Sequence, residues 1–259
     1  MTDKVHSKVE RGIGWLMIDN PERRNAISAE MGARGAQIIS EFESDSSVHI
    51  VAIASKGNVW SAGADINDFN ENSASGAPRP TDEQENASLY DAVYDCPKPV
   101  VAVVQGHCFG GAVALACACD LRIASAEANF AITAARIAIG YPLRFTHWIV
   151  NAVGPAYAAE MLLTAKRYTA SDAHRIGLVH TVTPASDFAN FSSGYLEDVA
   201  KGAPLSQRAS KAIIRELASG RPVDKAKCQA LLEICRASDD HAEGRRAFAE
   251  KRAPVFVGR

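Results

Sequence analysis

The stretch from Lys98 to Asp120 constrains this chain most. Val100 to Val104 is β-branched, apolar on both faces and short for a helix, which predicts a buried strand. Gly106, Gly110 and Gly111 break it, and the Ala-rich run Ala112 to Cys119 has high helix propensity and side chains small enough for close packing. The expected order is buried strand, glycine turn, buried helix. The first amide N–H groups of a helix have no partner within it, and glycine lets a ligand oxygen approach them. Such a corner is a candidate backbone anion hole, and it serves equally as plain scaffolding in α/β proteins. A second stretch has the same form. Ile50 to Ala54 reads as a strand, and Trp60-Ser61-Ala62-Gly63-Ala64-Asp65-Ile66 sets small residues before a helix start with Asp65 in its first turn. Two such turns can each give one N–H to a single oxygen.

Around these corners the chain alternates short strands and helices. Lys8 to Arg11 and Trp15 to Ile18 flank Gly12 and Gly14 as a hairpin, and Asp19 to Ala26 is a polar loop. Ser28 is an N-cap for a helix to Ser44, with Glu30 in its first turn. Glu71 to Asp82 lacks core-forming residues and reads as a loop, either beside the site or a surface insertion. Ala87 to Tyr94 is helical, while Leu121 to Ala124, Ala128 to Ile132 and Leu178 to Val182 are strands. Helices are expected over Ala156 to Thr164, Ala170 to Ile176 closed by Gly177, Pro204 to Gly220, Lys225 to Ala237 and Asp240 to Lys251. With strands first, helices last and no long linker, the chain reads as one α/β core (1–195) carrying a helical C-terminal region (196–259). Residue identities show no internal repeat.

A net charge of -2 with both signs scattered gives no basic stripe for nucleic acid and no polybasic membrane patch. Six cysteines lack a C-x-x-C or a histidine cluster, and Cys117 and Cys119 face different ways on a helix, so free thiols and no metal are expected. The start, Met-Thr-Asp-Lys-Val-His, has no apolar signal core, and no apolar run is long enough to cross a bilayer. These features point to a cytoplasmic protein. No P-loop or dinucleotide glycine pattern is present, and no Ser, His and Asp assemble into a triad, which disfavours nucleotide hydrolysis, hydride transfer and peptidase activity.

Asn25-Ala26-Ile27, Ser61 to Ile66, Lys98-Pro99-Val100, Gly106 through Gly111, Arg167 to Ala173 with Gly177-Leu178-Val179, and Phe248 to Arg252 occur in an order and spacing that resemble the crotonase superfamily, the enoyl-CoA hydratase/isomerase group. The resemblance covers nearly the whole chain. It implies a spiral of repeated β-β-α turns, a helical C-terminal region used for trimer contacts, and a homotrimer or dimer of trimers. The ligand it implies is a coenzyme A thioester, with no separate cofactor, whose oxygen is held by the N–H groups of Ala64 and Gly111. Arg24, Ala26 and Ala62 would line the coenzyme A groove. Asp65, Ile66, Gly110 and Thr133 would sit near the ligand, and Phe248 and Lys251 would cover the nucleotide from a neighbouring subunit.

The sequence departs from that group where its hydratases use two glutamates to handle water and a proton. By position these fall on Ala114 and Ala134, and neither methyl side chain moves a proton. Thr133, Arg136, Tyr141, Arg144, His107 and His147 remain nearby. The run Phe130 to Thr133 and on to Tyr141 is similar to that of the group's methylmalonyl-CoA decarboxylases, whose tyrosine matches Tyr141, although they carry a histidine in place of Ala64. Three functions stay open: a decarboxylase or other lyase working through a thioester enolate with Tyr141 orienting the substrate, an atypical hydratase or isomerase, and a non-catalytic acyl-CoA-binding protein.

Overall fold

Along a strand, alternate side chains face opposite sides, so a strand apolar throughout needs cover on both. The computed structural model, which describes residues 3–65 and 87–259, provides that cover. β1 (Val5–Glu10) and β2 (Ile13–Ile18) form the expected antiparallel hairpin, followed by α1 (Ala29–Ser44), whose cap Ser28 accepts from the Met31 N–H. Next come β3 (Ile50–Ser55), β4 (Val59–Ser61), α2 (Ala87–Asp95), β5 (Val100–Val104), β6 (His107–Phe109), α3 (Gly111–Ala118), β7 (Leu121–Ser125) and β8 (Asn129–Ala131). The chain ends with α4 (Leu143–Thr164), β9 (Tyr168–Thr169), α5 (Ala170–Arg175), β10 (Thr181–Thr183), α6 (Phe188–Ala200), α7 (Pro204–Ala218), α8 (Lys225–Ala237) and α9 (Asp239–Glu250).

One sheet has the order β1-β2-β3-β5-β7-β10, and a second has β4-β6-β8-β9. Each of three successive units places its first strand in the larger sheet, its second in the smaller, and then a helix: β3-β4-α2, β5-β6-α3, β7-β8-α4. This is the spiral of β-β-α turns. Val51, Ile53, Val100, Ala102 and Val104 face the main core, which α1, α2, α3 and α4 help to fill. Ile50, Ala52, Val101 and Val103 face the other way, where α6 covers them with Phe188, Leu196 and Ala200.

Four local readings are corrected. A short strand, β6, stands between Gly106 and Gly110, because His107 to Phe109 pairs with β4 on one side and β8 on the other. The strand expected over 178–182 is shifted to Thr181–Thr183, where it pairs with β7. The helix expected from Ala156 begins at Leu143 and is interrupted at Gly154, φ 75, just before Pro155. α6 was not anticipated, and the expected boundary at 195/196 falls inside it. The Asp65 N–H bonds to the Ile27 carbonyl, and the helix expected to follow Asp65, with the loop expected over 71–82, lies outside the described residues.

Both ends of the Lys98–Asp120 stretch are anchored by buried charge. The Lys98 ammonium donates to the carbonyls of Phe42 and Asp45 at the end of α1, where a cation meets the negative end of the helix. Asp120 accepts from the Val100 N–H (2.7 Å) and pairs with Lys211 and Arg215, tying α7 to the strand-turn-helix corner. All six cysteines are free. No helix among the described residues is long and apolar enough to cross a membrane.

Candidate functional site

β4, β6 and β8 are parallel neighbours, so their C-terminal ends lie side by side. The chain leaves β4 through Ala62 to Asp65, β6 through Gly110 and Gly111, and β8 through Ile132 to Ala134. Strand pairing thus gathers three turns that are far apart in sequence on one edge, the place where α/β sheets commonly receive ligands.

The first turn is held by a parallel bridge between Ala64 and Ile27: the Ile27 N–H donates to the Gly63 carbonyl (2.8 Å) and the Asp65 N–H to the Ile27 carbonyl (3.0 Å). In that pattern the N–H of Ala64 itself is directed away from Ile27. It lies toward the second turn. A Cβ built on Gly111 would stand 3.5 Å from the Ala64 nitrogen, and one built on Gly63 would meet the Gly111 nitrogen at 2.7 Å and the Phe109 carbonyl at 2.8 Å. Gly63 has φ 96, a conformation that side chains resist, so only glycine lets the two turns touch here. Gly110 is the N-cap of α3 and donates to the Ala131 carbonyl (2.8 Å), and Gly111 is the first helical residue. Its N–H is one of those that the helix leaves without an internal acceptor.

Asn25 explains the Asn25-Ala26-Ile27 motif. Its side chain accepts from the Asn20 N–H and donates to the carbonyls of Lys56 and Val59, while the Ser61 hydroxyl donates to the Asn25 carbonyl and accepts from the Gly63 N–H. The Ala62 N–H donates to the Arg24 carbonyl (3.0 Å), which sets the exposed Arg24 beside the first turn. Ala26 is buried. Asp65 is buried too and pairs with Arg23 at 3.3 Å. Thr133 is half-buried at the start of a short 3-10 helix, Ala134–Ile137. Ile66 lies outside the described residues. Phe248 and Lys251 are exposed, and Phe248 lines a depression with Leu232, Arg245 and Phe256 rather than the three turns of its own chain.

Tyr141 reaches the second turn. Its hydroxyl donates to the Gly110 carbonyl (3.0 Å). Burial pushes the phenol well above its ordinary range, with the Tyr90 phenol adding to the shift. Tyr141 is therefore a neutral hydroxyl at physiological pH, seated over the start of α3. Ala114 is fully buried on that helix and Ala134 is half-buried. Two acidic side chains on these elements are engaged in ion pairs, Asp65 with Arg23 and Asp91 with Arg144. The imidazole of His147 pairs with the Asn151 amide (3.0 Å), and that of His107 stacks on Phe109. Among the described residues no group of three or more His, Cys, Asp or Glu could hold a metal ion.

Tyr90 and Phe145 were missed in the sequence. Tyr90 is 1% exposed on α2, stacked on Phe145 at 4.7 Å, and Phe145 also meets Tyr141 edge-on at 5.8 Å. Helical spacing marks Leu89, Tyr90 and Val93 as a core face, but nothing in residue order shows that this face meets the Gly111 turn.

The family model described as enoyl-CoA hydratase/isomerase matches residues 8–259. The chain is 30% identical to the (E)-benzylidenesuccinyl-CoA hydratase of Thauera aromatica, over 98% of this chain and 99% of that protein. It is also 30% identical to the carnitinyl-CoA dehydratase of Proteus mirabilis (strain HI4320), over the whole of both. A crystal structure of an enoyl-CoA hydratase/carnithine racemase from Magnetospirillum magneticum superimposes with a TM-score of 0.90 at 29% identity, covering 100% of this chain and 97% of that one.

Proposed function

This chain belongs to the enoyl-CoA hydratase/isomerase family and is an acyl-CoA-processing enzyme of it, and from that premise we propose that it works through a thioester enolate, in a decarboxylation or other lyase reaction. The observation that supports this most is the pairing of the Ala64 and Gly111 turns beside two alanines, Ala114 and Ala134, in the positions that the resemblance gives to glutamates. An enolate oxygen carries far more charge than a resting thioester oxygen, so fixed N–H donors favour the transition state, and losing one typically costs about 3 kcal/mol of barrier.

With a malonyl-type thioester, the bond between the α-carbon and the carboxylate breaks and its electron pair passes into the thioester carbonyl. Carbon dioxide leaves, and the enolate takes a proton at the α-carbon from solvent water, which is left as hydroxide. Alanine at 114 and 134 puts no negative charge at those two positions to repel the departing carboxylate. Tyr141, neutral and bonded to the Gly110 carbonyl, would orient the substrate and hold the second turn. Arg24, Ala26 and Ala62 would line the coenzyme A groove, with Phe248 and Lys251 reaching the nucleotide from a neighbouring subunit of a trimer or a dimer of trimers.

The names of the relatives favour a second reading, hydration or dehydration of an enoyl-CoA. Malonyl-CoA, methylmalonyl-CoA and crotonyl-CoA tested on the purified protein separate the readings. Release of carbon dioxide without hydration of crotonyl-CoA is expected. Hydration without carbon dioxide release would overturn the lyase reading, and tight binding with no turnover of any thioester would favour a non-catalytic acyl-CoA-binding protein.

A further inference from the structure

Gly111 has a neighbour that neither the family resemblance nor the paired turns accounts for. A Cβ on Gly111 would meet the Tyr90 hydroxyl oxygen at 2.8 Å and the Ala64 nitrogen at 3.5 Å. The Tyr90 hydroxyl and the Ala64 N–H therefore flank the same face of Gly111. Tyr90 does not reach this place by chance of rotamer: its ring is buried, lies on α2 and is stacked on Phe145 with ring planes inclined by 29°. The two tyrosines near the turn differ in what their protons do. Tyr141 spends its proton on the Gly110 carbonyl, whereas no hydrogen bond among the described residues uses the Tyr90 hydroxyl.

We infer that Tyr90 is a catalytic residue whose hydroxyl donates a third hydrogen bond, beside the Ala64 and Gly111 amides, to the thioester oxygen as it becomes an enolate oxygen. This rests on the enolate reading above. The step moves no proton: Tyr90 keeps its hydrogen, and the negative charge on the oxygen is shared among three donors. Burial raises the Tyr90 phenol above its ordinary range, which keeps the donor intact at physiological pH. The stacked ring and the short α2 segment hold it in place before substrate arrives, so little reorganisation is needed when charge develops.

The test is the pH titration of acetoacetyl-CoA bound to the protein, read from the near-ultraviolet band of its enolate. Wild type is expected to lower the apparent pKa of the bound β-ketothioester relative to free acetoacetyl-CoA. Tyr90→Phe is expected to raise it again by about one unit, a tenfold loss of enolate stabilisation of the size expected for one charge-assisted hydrogen bond. Affinity for coenzyme A alone should stay unchanged. If wild type stabilises the enolate and Tyr90→Phe does so equally, Tyr90 is not a donor, although the paired-turn reading stands. If wild type does not stabilise the enolate at all, the paired-turn reading fails and the role of Tyr90 fails with it. Should Tyr90→Phe not fold, as judged by its thermal unfolding, 3-fluorotyrosine placed at position 90 keeps the ring and the hydroxyl but acidifies the phenol. It is then expected to lower the apparent pKa below that of wild type, and no change would overturn the proposal.

Discussion

Gly63 bears the strictest demand at the level of single residues, because a methyl group there meets main-chain atoms of the neighbouring turn, which cannot swing aside. Gly63→Ala should destabilise the fold by about 2 kcal/mol through its left-handed backbone and this clash. It should also abolish turnover by separating the two turns, as thermal unfolding and a thioester assay would show. Tyr141→Phe removes the bond to the Gly110 carbonyl while leaving the ring in contact with Phe145. It should lower turnover of the true substrate at a stability cost of about 1 kcal/mol; unchanged turnover would remove Tyr141 from the chemistry. The phenol lies well above its ordinary value of 10, so it should produce no break in the pH-rate profile below pH 10. Much of this scale was legible in the sequence, because glycine at 63, 110 and 111 advertises backbone that needs room. Tyr90 was not legible, since its position against Gly111 depends on how α2 is docked.

Where whole elements join, the contacts are charged. Asp120 binds Lys211 and Arg215, and Lys211 is buried. Asp120→Ala would leave the Lys211 ammonium in the interior with only the Lys98 carbonyl, and should cost about 3 kcal/mol in urea unfolding. Lys211→Met together with Asp120→Ala should recover part of that loss. At the other end, the carboxylates of α9 hold the last residues of the chain. Asp240 accepts from the N–H groups of Val257 and Gly258, and Glu243 accepts from that of Val255 and pairs with Arg252 and Arg246. Arg252, then Arg246, holds the Glu243 carboxyl below its ordinary value of 4.5. A depressed carboxyl stabilises the folded state fully above its unfolded pKa and loses that effect as pH falls. The protection factors of residues 251–259, taken relative to the intrinsic exchange rate at each pH, should therefore fall as the pH drops below 4.5, while those of β5 stay high. Sequence periodicity found most helices and the long strands. It missed β6, whose three residues are held by pairing with two neighbours, and α6, which is defined by the sheet face it covers.

At the level of the molecule, the repeat was hidden because it is a repeat of topology. β3-β4-α2, β5-β6-α3 and β7-β8-α4 share a course between two sheets without sharing residues. Large apolar side chains on the outer helices, Leu143, Leu163, Ile214, Leu217 and Phe248, are left exposed in the single chain. This supports the proposed trimer or dimer of trimers, and sedimentation should show three or six chains, with Leu163→Glu plus Phe248→Glu shifting the protein to smaller species. Because the proposed donors at Ala64 and Gly111 belong to the main chain, exchanging their side chains for others does not delete them. Evolution can hold such a polarising seat constant and change the reaction by refurnishing the room around it. For anyone wishing to retrofit water chemistry, Ala114→Glu with Ala134→Glu is the obvious edit, but Ala114 is fully buried, so its surroundings would have to make way for the newcomer first.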